Sequence, residues 1–492
     1  MQSSYQKSAK DTLTYGVATF LTFTVGLVQL PLLTKTLGAY EYGLWSLLFA
    51  TIGLVLPFTD LGLGLAMIRF IAAEKNKEKI QEGFYSVLVV VSFISLIISL
   101  AVIIFADSLA INFFDGAVQV VRIAGILILL SSVNPVFLSL IRTFQQIKTY
   151  SIFHIIENLG RIGVIAYLAL SGHGILSILI AYSVVKFVIL IILFFKIKSQ
   201  IGIKRPNFSK IKEFVSFGFP TVPGSLGFWL VNLSDRYVIS YFLGANSVGI
   251  YSAVYGLGYL PYRVLAVLTF VLLATLSQLY DEGKMNEVKA HLNYSLKYFL
   301  AIIIPFIFGA TILGDPVLVL FTTSEIASEG RFILPLVALA VSLLGVYSIL
   351  SHILILAKKT KVMALIWMIS ATLNIGLNIL VVPRMGVIGA AITSLIAYLL
   401  VVIMVGHYSL KEFMFSIQWR FIIKSLVASM LMSLVLWLMA EQRNMDTIMT
   451  IVVGVIIYGA TLVLLRAFQK EEVFFFRRLL RREVPAINPK DE

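Results

Sequence analysis

The chain has 492 residues, 59% of them hydrophobic and only 13% charged, where a soluble domain would carry nearer one-quarter charged residues. It contains no cysteine, which excludes disulfides, thiolate metal sites and cysteine nucleophiles. Apolar runs of about 20 residues, the length that crosses a bilayer, recur from end to end, so the net charge of +14 belongs to a membrane protein and not to a nucleic-acid binder.

The pattern predicts an all-α polytopic membrane protein. Fourteen spans are expected, at about 13–33, 43–66, 84–106, 118–140, 152–170, 174–195, 214–242, 249–277, 297–320, 331–356, 362–382, 386–408, 420–440 and 447–466. A transmembrane barrel would need segments of about ten residues with alternating hydrophobicity, and none is seen. Lys7 and Lys10 precede the first span without a small-residue cleavage site behind it, so that span is expected to stay. With the N-terminus placed in the cytoplasm, 30 of the 39 Lys and Arg residues fall in inside segments, 5 in outside segments and 4 (Arg161, Lys186, Arg236, Arg263) within spans. That bias predicts two cytoplasmic termini.

In chain order, the first turn is Leu37-Gly38-Ala39-Tyr40-Glu41-Tyr42-Gly43-Leu44-Trp45-Ser46. Span two then carries Pro57, Asp60, Gly62 and Gly64, a combination that permits a broken helix. Asp60 there either binds a coupling ion or caps the restarted helix. On span five, Glu157 and Arg161 stand i,i+4 in the favourable order and are expected to pair. Lys186 on span six is expected to snorkel toward the cytoplasm.

Span seven carries a polar stripe of Thr221, Ser225, Asn232, Asp235 and Arg236. Adjacent residues on a helix point about 100° apart, so Asp235 and Arg236 are expected to need partners other than each other. A substrate or ion site is one reading, and an ion pair stitching spans seven and eight is the other. Arg263 adds a cation to span eight, and Ser370, Asn374 and Asn378 form a stripe on span eleven. The run from Gly386 to Ala391 reads as close helix packing. In the tail, Phe475, Phe476, Leu479 and Leu480 oppose Arg477, Arg478, Arg481 and Arg482, as on an interfacial helix lying on anionic lipid.

The chain repeats itself. The turn at Leu37 returns as Leu243-Gly244-Ala245-Asn246-Ser247-Val248-Gly249-Ile250-Tyr251-Ser252, 206 residues later. Lys148-Thr149 matches Lys359-Thr360, and Ile180-Ala181-Tyr182 matches Ile396-Ala397-Tyr398. Six spans separate the copies, so they are parallel repeats about an axis along the membrane normal. The expected organisation is a six-helix lobe over 1–196, a basic hinge over 197–213, a second lobe over 214–410, two added spans over 411–468 and a basic amphipathic tail over 469–492. The second copy has Asp235, Arg236 and Arg263 where the first has Gln29, Leu30 and Pro57, and Arg161 occupies the repeat position of Asn374.

No catalytic constellation appears, external loops are minimal, and the five histidines lack metal-ligand spacing. Leu32-Leu33-Thr34-Lys35-Thr36-Leu37-Gly38 with Glu41 to Trp45, then Asp235-Arg236-Tyr237-Val238-Ile239 with Leu243-Gly244 and Val248 to Tyr251, resembles the polysaccharide biosynthesis (Wzx-type) flippases. These belong to the multidrug/oligosaccharidyl-lipid/polysaccharide exporter superfamily. The resemblance implies two six-helix lobes around a central cleft, alternating access, and a polyprenyl-(pyro)phosphate-linked oligosaccharide moved from the cytoplasmic to the external leaflet of the cell membrane. It also implies pathway glycosyltransferases and a polymerase as partners, no enzyme activity and no cofactor, and some members of the superfamily are proton- or sodium-coupled; Asp60 and Asp235 are the in-span carboxylates most able to bind such an ion.

A lipid phosphate needs cations in a low-dielectric cavity, which Arg236, Arg263 and Arg161 offer, with Asn232, Asn374 and Asn378 as polar partners for phosphate or glycan. A cation-coupled exporter of small organic molecules on the same fold is the alternative, and its cavity should be acidic. A membrane-embedded glycan polymerase or ligase would need larger external loops.

Overall fold

The computed structural model describes residues 2–72, 74–440, 446–469 and 472, and among them every regular element is helical. The first copy comprises α1 (Gln2–Asp60), α2 (Leu63–Ile71), α3 (Lys77–Ile104), α4 (Ala106–Phe113), α5 (Val118–Thr143), α6 (Ile147–Leu170) and α7 (Ile175–Ile201). The second comprises α8 (Ile211–Gly218), α9 (Val222–Leu233), α10 (Asp235–Gly258), α11 (Leu260–Asp281), α12 (Met285–Ile312), α13 (Gly314–Phe321), α14 (Ser324–Gly330), α15 (Ile333–Leu356) and α16 (Thr360–Glu412). Two further helices follow, α17 (Trp419–Ala440) and α18 (Thr447–Leu464). The internal repeat survives in element lengths: α3 and α12 have 28 residues each, and the short helices after them, α4 and α13, have 8 each.

Eleven stretches among the described residues are long and apolar enough to cross a bilayer, not fourteen. The difference lies in α1, α10 and α16, each of which holds one glycine with non-helical backbone: Gly38 (φ 75°, ψ −178°), Gly244 (φ 83°, ψ 171°) and Gly386 (φ 64°, ψ −151°). A side chain would be strained at these positive φ values, so only glycine turns the helix so tightly. The arms fold back on each other. Thr393 donates to Asn378 Oδ1 at 2.8 Å, although a straight helix would hold residues 15 apart at roughly 22 Å. Gly386, expected as a packing residue, is therefore the turn itself, and Gly389 supplies the close packing, where an added Cβ would stand 3.0 Å from Val381.

The two copies meet around their glycine turns with approximate two-fold symmetry. Ser46 donates to its own repeat equivalent, Ser252, at 2.7 Å. Ser240 donates to the Phe113 carbonyl at 2.6 Å, and its equivalent Thr34 to the Phe321 carbonyl at 3.3 Å. Gly43 lies directly against the Ala245 backbone, and Gly249 against that of Ala39, with no space for a side chain at either glycine. Asp115 breaks the symmetry by accepting the Ala245 N–H at 2.7 Å.

At the opposite face the linker between the copies is fastened to α3. Gln81 and Tyr85 donate to the carbonyls of Ile201 and Gly202, Ser86 bonds both backbone groups of Asn207, and Lys204 bridges Glu78 and Glu82. Those carboxylates raise the Lys204 ammonium above its ordinary value, the hydrogen bond to Glu82 contributing most. Beyond α18, Glu472 accepts from Lys297 at 2.6 Å and from Tyr298 at 2.9 Å, both donors on α12. The amphipathic tail expected after it lies outside the described residues.

Candidate functional site

The stripe on span seven is cut by a helix junction. α9 ends at Leu233 and α10 starts at Asp235, so the Asp235 carboxylate meets the unpaired N–H groups of a new first turn. Its Oδ1 accepts the Arg236 N–H at 2.9 Å and Arg236 Nη1 at 2.7 Å. The adjacent pair does form an ion pair, because Asp235 opens the first turn of α10, where its Oδ1 takes the Arg236 N–H and the guanidinium together. Both are buried, and the cluster is enclosed by rings. Tyr251 donates to Asp235 Oδ2 at 2.6 Å, and Arg236 stacks 5.4 Å over Tyr251 and 4.7 Å over Tyr255. Tyr255 and Tyr398 share a 2.9 Å hydrogen bond, and Tyr398 donates to Asn232 Oδ1 at 2.6 Å. Asn232 Nδ2 donates to the Phe228 carbonyl.

In the first copy the carboxylate at mid-span is Glu157, and it pairs with Lys186 at 2.7 Å, not with Arg161. Lys186 is correspondingly buried instead of reaching for the membrane surface. Side chains on neighbouring helices can meet head-on, which beats an i,i+4 contact along one helix. Arg161 is left to donate to Asn158 Oδ1 at 2.9 Å, and Asn158 in turn donates to Thr22 on α1 at 3.1 Å.

Arg263 on α11 is exposed, and no carboxylate lies within ion-pair distance of it among the described residues. Its guanidinium crosses to the other copy: a Cβ added at Gly26 of α1 would stand 2.9 Å from Arg263 Nη1. Thr22 and Gly26 are one helical turn apart on one face, about 5–6 Å. Arg263 of one copy, and Arg161 of the other through Asn158, are therefore placed about one turn apart along the same face of α1.

The remaining candidates bond to residues close to themselves in the chain. Asn374 and Asn378 are fully buried on α16 and bond each other and Thr393. Asp60 accepts the Gly64 N–H at 3.1 Å, in the first turn of α2, whose N-cap is Gly62. A ladder of tyrosines joins the candidate residues, Tyr251, Tyr255, Tyr259 and Tyr262, and its spacing of four, four and three is a helical signature visible in the sequence. Their rings follow one another at 5.7, 5.8 and 5.0 Å along α10 and into α11.

The chain is similar over most of its length to transporters. The probable low-salt glycan biosynthesis flippase Agl15 of Haloferax volcanii is 21% identical over 424 residues, covering 86% of this chain and 87% of that protein. The structure of the lipid II flippase MurJ in an inward closed conformation superposes with a TM-score of 0.75 at 22% identity, covering 95% and 100% of the two chains. An inward-facing multidrug resistance MATE family transporter gives 0.65 at 15% identity over 82% of this chain and 97% of its own. A MatE model matches residues 220–380. The polysaccharide biosynthesis protein model matches residues 8–280, and the chain belongs to that family.

Proposed function

We propose that this protein is a flippase that moves a polyprenyl-(pyro)phosphate-linked oligosaccharide from the cytoplasmic to the external leaflet of the cell membrane. The observation that carries the reading is the distribution of charge. Among the described residues each copy holds one ion pair at mid-span, Lys186 with Glu157 and Arg236 with Asp235, and one in-span arginine, Arg161 or Arg263, that joins no ion pair. Arg263 directly, and Arg161 through Asn158, are then placed against one face of α1. A cation inside a span is costly unless a partner or water receives it, and a phosphate bridging the two copies would be that partner. A cavity left net positive disfavours the exporter of organic cations.

The turns at Gly38, Gly244 and Gly386 divide three of the eleven apolar stretches and so give fourteen crossings, with both termini cytoplasmic. The basic linker face is then cytoplasmic and the glycine-turn face external, where the two lobes are in contact. Cargo enters from the cytoplasm, and the external contact opens to release it. Arg236 is a fixed part of the lobe, and Arg263 with Arg161 holds the phosphate.

Deletion of the gene tests this. Lipid-linked oligosaccharide should accumulate where a membrane-impermeant glycan label cannot reach it in intact cells. Full labelling of that pool from outside would contradict the reading.

A further inference from the structure

We infer that Tyr259 is the platform for the sugar ring bonded directly to the cargo phosphate, an inference that rests on the flippase reading. The tyrosine ladder divides into two parts. Tyr251 and Tyr255 are sealed in the lobe, and their hydroxyls are taken by Asp235 and Tyr398. Tyr259 is half-buried, and its hydroxyl has no hydrogen-bond partner among the described residues. It sits at the junction where α10 gives way to α11, with Pro261 just beyond. Broken spans are tolerated where the backbone lines a cavity.

The internal repeat fixes which way this position faces. The equivalent of Tyr259 is Gly53, 206 residues earlier, and a Cβ at Gly53 would stand 3.0 Å from Trp229 of the opposite copy. Position 53 therefore points across the interface between the copies, and by the symmetry of the repeat position 259 stands at the matching place on the other side, where the Tyr259 ring also rests on the second copy's own core. Where the first copy has only hydrogen, to receive Trp229, the second presents a phenol. That phenol stacks on Tyr255 at 5.8 Å with the planes 25° apart, which fixes the ring before any ligand arrives.

Tyr259 and Arg263 are four residues apart on one helix face, and the Arg263 N–H bonds the Tyr259 carbonyl at 3.3 Å. One turn, about 5.4 Å, suits a phosphate on the guanidinium and the adjoining pyranose over the ring. An aromatic face takes the apolar C–H face of a sugar, and the phenol hydroxyl is left to bond a sugar hydroxyl. The sugar then lies on the Gly244 side of the phosphate, ahead of it toward the closed contact.

The test compares two probes on the purified full-length protein in detergent: polyprenyl monophosphate, and the same lipid carrying one hexose. Wild type should bind the hexosyl lipid about tenfold more tightly than the bare one, since a stacked ring with one hydrogen bond adds on the order of one decade. Tyr259→Leu should reduce the hexosyl lipid to the affinity of the bare lipid and leave the bare lipid unchanged. Tyr259→Phe should keep most of the difference, and Arg263→Ala should weaken both lipids alike. Equal hexosyl preference in wild type and Tyr259→Leu would overturn the platform alone. Equal loss of both lipids in Tyr259→Leu would likewise overturn it, by making Tyr259 a packing residue. Binding of neither lipid by wild type would overturn the platform together with the flippase reading beneath it.

Discussion

Arg236 and Arg263 are two arginines in neighbouring spans with opposite expected behaviour. Arg236 is buried against Asp235 and two phenol rings, so Arg236→Ala strands a carboxylate and should cost about 3–5 kcal/mol of stability. Arg263 is exposed and unpaired, so Arg263→Ala should leave the melting temperature unchanged while transport falls about tenfold, the loss of a charge-assisted contact. Thermal melting in detergent beside a transport assay separates the two, and a lowered melting temperature in Arg263→Ala would contradict the assignment. The sequence alone made these residues look alike, since both are cations in apolar runs. What distinguishes them is the junction at Ser234, which lets Asp235 turn onto its neighbour, and nothing in the local sequence announces that break. Glu157 misled in a similar way, because its i,i+4 partner was visible and Lys186, on the next helix, was 29 residues away.

At the scale of elements, the repeat was legible because turns, unlike spans, need particular residues. The glycines at 38 and 244 hold positive φ, and those at 43 and 249 let two backbones touch. Gly386 was misread since an isolated glycine between apolar runs also serves packing. The shared ring positions carry the divergence between copies: Trp45, Phe49 and Tyr182 cluster in the first, and Tyr251, Tyr255 and Tyr398 in the second. Only the second set has hydroxyls at every position, and these serve Asp235 and Asn232. Gly249→Leu should prevent the turns from meeting. A cysteine pair at Ala39 and Ala245, in a chain with no other cysteine, should cross-link readily, and adding Gly249→Leu should suppress both the cross-link and transport. Undiminished cross-linking would refute the steric argument.

Glu472 provides a pH test at the other face. Burial raises its carboxyl, but Lys297, the Gln469 N–H and Tyr298 together hold it below the ordinary 4.5. Its contribution to stability is thus present above that value and is lost as pH falls through the lower folded value. Proteolytic release of the segment after α18 should rise only below about pH 4.5 in wild type. In Glu472→Gln it should be elevated across the neutral range, and release independent of this substitution would remove the latch.

Taken whole, the described molecule repeats one helical plan twice, with the linker between the copies stitched to the first. For the alternating access proposed here, a linker fastened as far as Asn207 would put the pivot beyond it, at the segment of Gly218, Pro220, Pro223 and Gly224. The proposed orientation puts the basic linker face in the cytoplasm, so Ser209→Cys should react with a membrane-impermeant thiol reagent only after cells are opened; labelling of intact cells would invert the topology. The most direct test uses purified protein in vesicles containing fluorescent polyprenyl-diphosphate oligosaccharide, with the label on each leaflet read by an impermeant quencher. Wild type should equilibrate the glycan between leaflets, while the Arg161→Ala/Arg263→Ala double variant, folded and equally incorporated, should not. Equal translocation by the two proteins would remove these arginines from the mechanism, and no translocation by wild type alongside transport of organic cations would contradict the flippase.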